Sequence, residues 1–191
     1  EEGVGVFAGN IIVQNGGFAG ARSRSIQPAL DFSRYAGLRL RVKGDGYRYK
    51  FIIRDDYDWN GVAWAFSFDT KPGEWLNVEA PFTAFVPTKF ARRVQNITFK
   101  KGQLSAVQVT LSKFEYDGGL SPLFREGRFE IDIISSVDHH FHHDSAAESS
   151  SRRPQGDLDD RIQGALSAQR AGCMQPAPRV HVEVAGTDGA P

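Results

Sequence analysis

The sequence LRLRVKGDGYRYKFIIRDDYDWNGVAWAFSFD, at residues 38–69, alternates apolar and polar side chains across three successive runs. Alternation with a period of two places one set of side chains on each face of a β-sheet. The runs are separated by Gly44-Asp45-Gly46 and by Trp59-Asn60-Gly61, and glycine supplies the positive φ that a tight hairpin turn needs. This stretch therefore predicts antiparallel β structure.

The two faces of the first two predicted strands differ in chemistry. One face is apolar and predicts a core, with Ile52 as an exception on the other side; it carries Leu38, Leu40, Val42, Tyr47, Tyr49, Phe51 and Ile53. The opposite face is basic and carries Arg39, Arg41, Lys43, Arg48, Lys50 and Arg54. On adjacent strands these six cations would form one surface, suited to phosphates or to an acidic protein.

Size and composition indicate one domain with a core of its own, because the chain has 191 residues of which 40% are hydrophobic. The single cysteine, Cys173, cannot form an intrachain disulfide. No apolar run approaches the roughly 20 residues that span a bilayer, and the acidic start Glu1-Glu2 is unlike a signal peptide. We therefore predict no membrane span.

The chain divides near Ser136. Residues 1–136 hold 18 Lys and Arg against 15 Asp and Glu, and all aromatic residues except Phe141. Residues 137–177 form a polar, low-complexity linker with too few large apolar residues to offset the entropy of ordering, so we expect a largely disordered C-terminal tail. We predict three regions: a β domain at 1–136, the linker at 137–177 and a short tail at 178–191.

Frequent turn signals within residues 1–136 predict an all-β sandwich or jelly roll. Asn15-Gly16-Gly17, Gly44-Asp45-Gly46 and Lys71-Pro72-Gly73 suit short antiparallel connections. Residues 81–93 read as a long aromatic loop that folds back over the sandwich. The predicted strands lie near residues 6–14, 17–24, 37–43, 47–54, 61–69, 74–80, 94–100, 104–112 and 128–134.

Three segments carry a resemblance to a known family: GVFAGNIIVQNGGFAGARSR, LRLRVKGDGYRYKFIIRDD and FSFDTKPGEWLNVEAPFTAFVPT. They resemble the complex I intermediate-associated protein 30 family across nearly all of residues 3–136. The resemblance implies a galactose-binding-like jelly-roll β-sandwich, without an established catalytic centre. The family's acidic, glycine-rich opening is missing here, which predicts that the domain is truncated at its N-terminus.

Two further segments refine the resemblance. LSKFEYDGGLSPLFREGRFEIDIISS, at residues 111–136, resembles the branch in plant and algal chloroplast proteins, where the domain is inserted into an atypical short-chain dehydrogenase. PRVHVEVAG, at residues 178–186, resembles a Rossmann strand that follows the insertion in such proteins. The chain has no G-x-G-x-x-G after a strand, so we predict no nucleotide cofactor.

Two motifs resemble metal sites, but each has a simpler interpretation. DYDWNG at residues 56–61 matches the first half of an EF-hand loop, yet Ser67 stands where the loop needs Glu and the flanks read as strands. We interpret it as a polar turn. The cluster of His139, His140, His142 and His143 has imidazole ligands for zinc or nickel but no predicted scaffold. We predict no physiological metal site.

The aromatic residues divide into predicted core and predicted surface. We assign Trp64 and Trp75 to the core and expect Trp59, at a turn, to be exposed. Phe85 and Phe90 of the 81–93 loop join Trp59 and the six basic residues as candidate partner-binding residues. All five histidines lie at or beyond His139, which excludes a Ser-His-Asp triad within the domain, and we predict no enzyme activity.

These observations favour a non-catalytic binding domain of an organelle assembly factor that contacts protein subunits or assembly intermediates. RNA binding in plastid translation is the alternative that the basic face and the chloroplast-type segment suggest. Carbohydrate binding is a second alternative, suggested by the aromatic residues and the fold. The resemblance favours the chloroplast over the mitochondrion, and we predict no small-molecule substrate.

Overall fold

The computed structural model describes residues 4–136, which form ten β-strands and three short 3-10 turns. The 3-10 turns are Val13–Asn15, Phe82–Ala84 and Lys101–Gln103. The strands are β1 Gly5–Ile11, β2 Phe18–Arg22, β3 Gly37–Lys43, β4 Arg48–Arg54, β5 Ala63–Asp69, β6 Trp75–Pro81, β7 Val86–Lys89, β8 Arg92–Arg93, β9 Ala106–Ser112 and β10 Gly127–Ser136.

The strands form two antiparallel sheets that pack as a β-sandwich of the jelly-roll type. The four-stranded sheet has the order β1-β10-β3-β6, and the six-stranded sheet has the order β2-β9-β4-β5-β7-β8. The all-β jelly-roll prediction is therefore confirmed for the described residues. Among these residues, no helix is long and apolar enough to cross a membrane.

The core lies between the sheets and is built from the apolar positions of the alternating pattern. The predicted inward side chains of β3 and β4 are all buried, including Leu40, Tyr49 and Phe51, so the assignment of faces is confirmed. Burying each large apolar side chain contributes about 1.5–3 kcal/mol before entropy is counted. The core therefore holds together strands that lie far apart in sequence.

The three predicted hairpin turns join the two sheets instead of pairing neighbouring strands, and the hairpin prediction is wrong at each. Residues 15–17 connect β1 to β2, residues 44–46 connect β3 to β4, and residues 71–73 connect β5 to β6, always from one sheet to the other. A Cβ at Gly44 would lie 2.5 Å from Thr70, so only glycine allows this close approach. A glycine-containing turn can connect two strands of different sheets as readily as two paired strands, so the turn signal alone did not decide the pairing.

The region after β6 also differs from its prediction. The expected loop at 81–93 contains β7 and β8, which extend the six-stranded sheet beyond β5. The expected strand at 94–100 is irregular, because no neighbouring strand pairs with it, although Phe99 packs on Trp64 and Phe82. The predicted linker at 137–177, with its histidine cluster, and the tail at 178–191 lie outside the described residues.

Candidate binding surfaces

The outer face of the six-stranded sheet contains a cleft of about 700 Å³. Its floor is low because several outward positions carry small residues, namely Gly20 on β2 and Ala63 and Ala65 on β5. Larger floor residues lie on the strands between them, including Ile52, Gln108 and Thr110. The volume lies within the range of about 300–1,000 Å³ that is usual for ligand-binding clefts.

One border of the cleft is the β4–β5 hairpin, which presents Trp59. Its side chain is 70% exposed, as expected from the sequence. The guanidinium carbon of Arg22 lies 4.2 Å from the centre of the indole ring, and Nη1 of Arg22 donates to the Trp59 carbonyl oxygen at 3.0 Å. A cation on the face of an aromatic ring is attracted by its quadrupole. Arg22 therefore fixes the position of an exposed tryptophan.

A second border is the two-residue turn between β7 and β8, which presents Phe90. Phe90 and Ala91 have φ values of 50° and 60°, and Phe90 is 75% exposed. Asp117 fastens this turn, because its N–H donates to the Ala91 carbonyl oxygen at 3.0 Å and its Oδ1 accepts from the Arg93 N–H at 2.9 Å. The loop that follows β9 thus holds the rim at Phe90.

A buried polar network closes one end of the cleft. Lys50 is 7% exposed; its Nζ donates to the Phe114 carbonyl oxygen at 2.6 Å and lies 3.7 Å from Oε1 of Glu115. Ser67 donates to Oε2 of Glu115 at 2.8 Å and contacts the Tyr116 hydroxyl at 3.1 Å. Burial lowers the pKa of Lys50, and Glu115 opposes this effect. The network anchors the loop that carries Phe114, Glu115 and Tyr116.

The two arginines at the cleft have acidic neighbours. Arg54 lies at the end of β4, where its Nη1 donates to the Gly61 carbonyl oxygen at 3.0 Å. Burial lowers the pKa of Arg22 and of Arg54, while Asp56 and Asp58 raise both. These two carboxylates also accept backbone N–H groups within the turn, at 3.1 and 3.0 Å, and no group of His, Cys, Asp or Glu between residues 4 and 136 is arranged to hold a metal.

A second surface lies at the end of the sandwich where β1 leads to β2 and β9 leads to β10. These two connections are hydrogen bonded to each other, since the Lys113 N–H donates to the Gly17 carbonyl oxygen at 2.8 Å and the Val13 N–H donates to Glu126. Large apolar side chains are exposed on both. We call this surface the apolar end; it comprises Ile12, Val13, Phe114, Leu120 and Leu123.

The six predicted basic residues do not form one surface. Arg39, Arg41 and Lys43 lie on β3 and Arg48, Lys50 and Arg54 lie on β4, and these strands belong to different sheets. The prediction of a continuous basic row is therefore wrong, because it assumed that β3 and β4 pair. Several of the cations also have partners: Arg39 pairs with Glu79 at 3.1 Å, and Nη2 of Arg48 donates to Asp69 at 2.9 Å.

The structure confirms some of the predicted positions of the aromatic residues and contradicts others. Trp64 is buried as expected, whereas Trp75 is 38% exposed on the edge strand β6 and was wrongly assigned to the core. Phe85, a candidate contact residue, is buried and packs on Phe66 and Phe82 at ring distances of 5.5 and 6.2 Å. It is thus a core residue. Of the two phenylalanines, only Phe90 reaches the surface.

The family follows from a comparison of sequences. The sequence model of complex I intermediate-associated protein 30 matches residues 1–133. The chain belongs to this family. No curated protein matches the chain.

Two solved structures are similar to this member of the complex I intermediate-associated protein 30 family. One is the family 11 carbohydrate-binding module of the cellulosomal cellulase Lic26A-Cel5E of Clostridium thermocellum, with 14% identity, a TM-score of 0.43, and coverage of 72% of this chain and 90% of that one. The other is the family 11 module from Clostridium thermocellum in complex with a β-1,3-1,4-mixed-linked tetrasaccharide, with 14% identity, a TM-score of 0.42, and coverage of 71% and 91%.

Sequence reasoning missed the apolar end of this family member. Phe114, Leu120 and Leu123 lie in a loop rich in glycine and turn residues, without the periodicity of a strand or a helix. Large apolar residues in such a loop are a signal that can be read from sequence: they either fold onto the core or remain exposed. Here Phe124 packs against the core, whereas Leu120 is 73% exposed.

Proposed function

We propose that this chain is the non-catalytic binding domain of an assembly factor for complex I or a related organelle complex, and that it contacts protein subunits through the apolar end. The observation that carries the proposal is the group of exposed large apolar side chains on two hydrogen-bonded connections. Contiguous exposed apolar surface marks sites of protein association. The family name supplies the context of complex I assembly.

The chemistry of the described residues supports binding rather than catalysis. Residues 4–136 contain no histidine, and the Ser67 hydroxyl is engaged by Glu115 and Tyr116. Lys50, the buried cation beside them, holds the Phe114 carbonyl oxygen. These groups bond to one another and fix a loop, so none of the four is free to act as an activated nucleophile.

The division of the basic residues between two sheets favours a protein partner over RNA. Phosphate binding gains strength from several cations that neutralise neighbouring phosphates together. The salt bridges Arg39–Glu79 and Arg48–Asp69 and the burial of Lys50 reduce that capacity. We place the partner in the chloroplast rather than the mitochondrion, on the resemblance of residues 111–136 to the chloroplast branch.

The test is affinity capture with the full 191-residue chain from chloroplast and mitochondrial lysates, each with and without nuclease, followed by mass spectrometry. The matched pair of variants is Leu120→Asp, at the apolar end, and Ile97→Asp, an exposed apolar residue far from it. We expect subunits of an organelle NADH dehydrogenase complex to be captured by the wild-type chain and by Ile97→Asp. Capture by Leu120→Asp should fall at least fivefold, because a charge then has to be buried at the interface.

The arms of the experiment separate the alternatives. Capture that survives nuclease supports protein contact, whereas loss of every protein after nuclease would replace the proposal with RNA binding. Equal capture by Leu120→Asp and the wild type would show that the apolar end is not the contact surface. The lysate that yields the complex subunits decides the organelle.

A further inference from the structure

We propose that the cleft on the outer face of the six-stranded sheet binds a neutral oligosaccharide, with Trp59 and Phe90 as the rings on which sugars stack. This site goes beyond the proposed protein contact, which uses the apolar end. The two surfaces meet only at Phe114. Trp59 lies outside the apolar end and Ile12 lies outside the cleft lining, so each surface can be altered separately at these residues.

Both aromatic residues at the rim of the cleft are exposed and yet held in place. Trp59 is fixed by the stacked guanidinium of Arg22 and by the bond from Nη1 of Arg22 to its carbonyl oxygen. Phe90 is fixed through its turn by Asp117. Rigid exposed aromatic rings lose little entropy when a ligand covers them, which is why such residues dominate binding sites.

The backbone conformation of the Phe90 turn also points to a ligand. Both central residues have positive φ, which is the type I′ pattern that Asn-Gly adopts readily and that Phe-Ala adopts at a cost of about 1 kcal/mol or more for each residue. The cost is not recovered by packing Phe90, which is 75% exposed. A strained and exposed ring at the rim of a cleft indicates a residue retained for contact with a ligand.

The contacts of the cations favour an uncharged ligand. Arg22, Arg54 and Lys50 already donate to the carbonyl oxygens of Trp59, Gly61 and Phe114. A polyanion such as RNA or an acidic peptide would have to displace these contacts to pair with the cations. An uncharged ligand is not penalised by this arrangement.

The floor of the cleft mixes polar and apolar groups. Gln108 and Thr110 supply an amide and a hydroxyl that bond to each other at 3.0 Å, and Ile52 and Ala65 line the same floor. Sugar hydroxyls both donate and accept, so they match such groups. The C–H faces of sugar rings suit the negative faces of Trp59 and Phe90. Both rings line the same cleft: Trp59 lies on the β4–β5 hairpin with Arg22 of β2 over its ring, and Phe90 lies on the β7–β8 turn.

The experiment is isothermal titration of the full chain with cellohexaose, laminarihexaose, xylohexaose, mannohexaose and maltohexaose, and with a galacturonic acid hexamer as the charged probe. We expect at least one neutral hexasaccharide to bind with a Kd below about 1 mM, a modest affinity. We expect the acidic hexamer to bind at least tenfold more weakly. Trp59→Ala and Phe90→Ala should each weaken the neutral ligand about tenfold, and Ile12→Asp, at the apolar end but outside the cleft lining, should leave it unchanged.

The positioning role of Asp117 is tested with the same ligand. Asp117→Ala removes the acceptor for the Arg93 N–H and should weaken binding although it leaves both rim rings intact, whereas Asp117→Asn keeps an acceptor oxygen and should restore it. Near-ultraviolet circular dichroism and the melting temperature verify that each variant is folded. If no neutral hexasaccharide binds at 1 mM, if the Trp59 and Phe90 variants bind as the wild type does, or if the acidic hexamer binds as tightly, the proposal is wrong.

Discussion

On the outer face of the four-stranded sheet, basic side chains meet acidic or aromatic neighbours: Arg39 pairs with Glu79, Arg128 with Glu130, and Arg41 lies over the Trp75 ring at 5.3 Å. On the outer face of the six-stranded sheet, small residues on β2 and β5 leave a cleft, and aromatic rings stand at its borders. Cross-strand pairs cover a sheet face, whereas a run of small side chains opens it. The six-stranded side therefore carries the cleft in which we propose that a ligand binds.

The largest effect expected from this comparison separates two tryptophans that are five residues apart. Trp64→Ala should lower the free energy of unfolding by about 3–5 kcal/mol, because it opens a cavity in the core. Trp59→Ala should lower it by less than about 1 kcal/mol, because the ring is 70% exposed. Urea unfolding measures both, and similar losses in the two variants would contradict the burial described here.

A smaller difference in the free energy of unfolding is expected between substitutions of a basic residue on each sheet. Lys50→Ala should cost about 2–4 kcal/mol, because it leaves Glu115 and the Phe114 carbonyl oxygen buried without their cation. Arg41→Ala, on the outer face of the four-stranded sheet, should stay within about 0.5 kcal/mol. Adding Glu115→Gln to Lys50→Ala should recover part of the loss, and no recovery in that double variant would rule out the ion pair as the cause.

A substitution in the Phe90 turn should raise the free energy of unfolding instead of lowering it. Ala91→Gly should raise the free energy of unfolding by about 0.5–1 kcal/mol, because glycine adopts the φ of 60° found there at little cost. Gly73→Ala, at a φ of 71° in a turn between the sheets, is the matched reverse substitution and should lower it. Thermal unfolding measures both, and a destabilised Ala91→Gly would show that the turn is not strained.

The smallest effect is a pH dependence on the six-stranded side. The bond from Arg48 holds the pKa of Asp69 below its ordinary value of 3.8. A lowered pKa in the folded state contributes stability above the unfolded pKa, and this contribution is lost as pH falls through the folded pKa. Half of the Asp69 side chain is exposed, so solvent screens the pair and the contribution should not exceed about 1 kcal/mol.

The measurement compares urea unfolding of the wild type and Asp69→Asn. Their difference should be present at pH 7, shrink below pH 4, and diminish in 1 M salt, where the Debye length is about 3 Å. A difference that grows as the pH falls would contradict the assigned sign. Arg39→Ala on the other sheet, which breaks the exposed pair with Glu79, provides a control for general effects of surface charge.

The sequence predicted which face of a strand is buried, but it did not predict which strands pair. Alternation decides the faces of β3 and β4 locally, and Leu40 and Phe51 are buried as expected. Pairing depends on partners far along the chain: β3 pairs with β10 and β6, and β4 pairs with β9 and β5. The close approach of Gly44 to Thr70 that marks a crossing between sheets is visible only in three dimensions.

The candidate site was also predictable only where a local signal decides the position of a residue. Trp59 was expected to be exposed because a turn signal surrounds it, and it borders the cleft. Phe85 and Phe90 belong to the same predicted loop and looked alike in sequence. Phe85 packs on Phe82, whereas Phe90 is exposed in a turn with positive φ. The resemblance to the complex I intermediate-associated protein 30 family identified the fold and the family, whereas the cleft and the apolar end depend on contacts between distant loops.

In the proposed function, the protein partner docks on the apolar end. Photo-crosslinking tests this docking surface, with benzoylphenylalanine placed at Leu120 or, as the control, at Trp75 on the four-stranded sheet, in lysate of the organelle that gives capture. We predict adducts with subunits of the NADH dehydrogenase complex from position 120 and none from position 75. Adducts from position 75 alone, or equal adducts from both, would contradict the assignment of the docking surface.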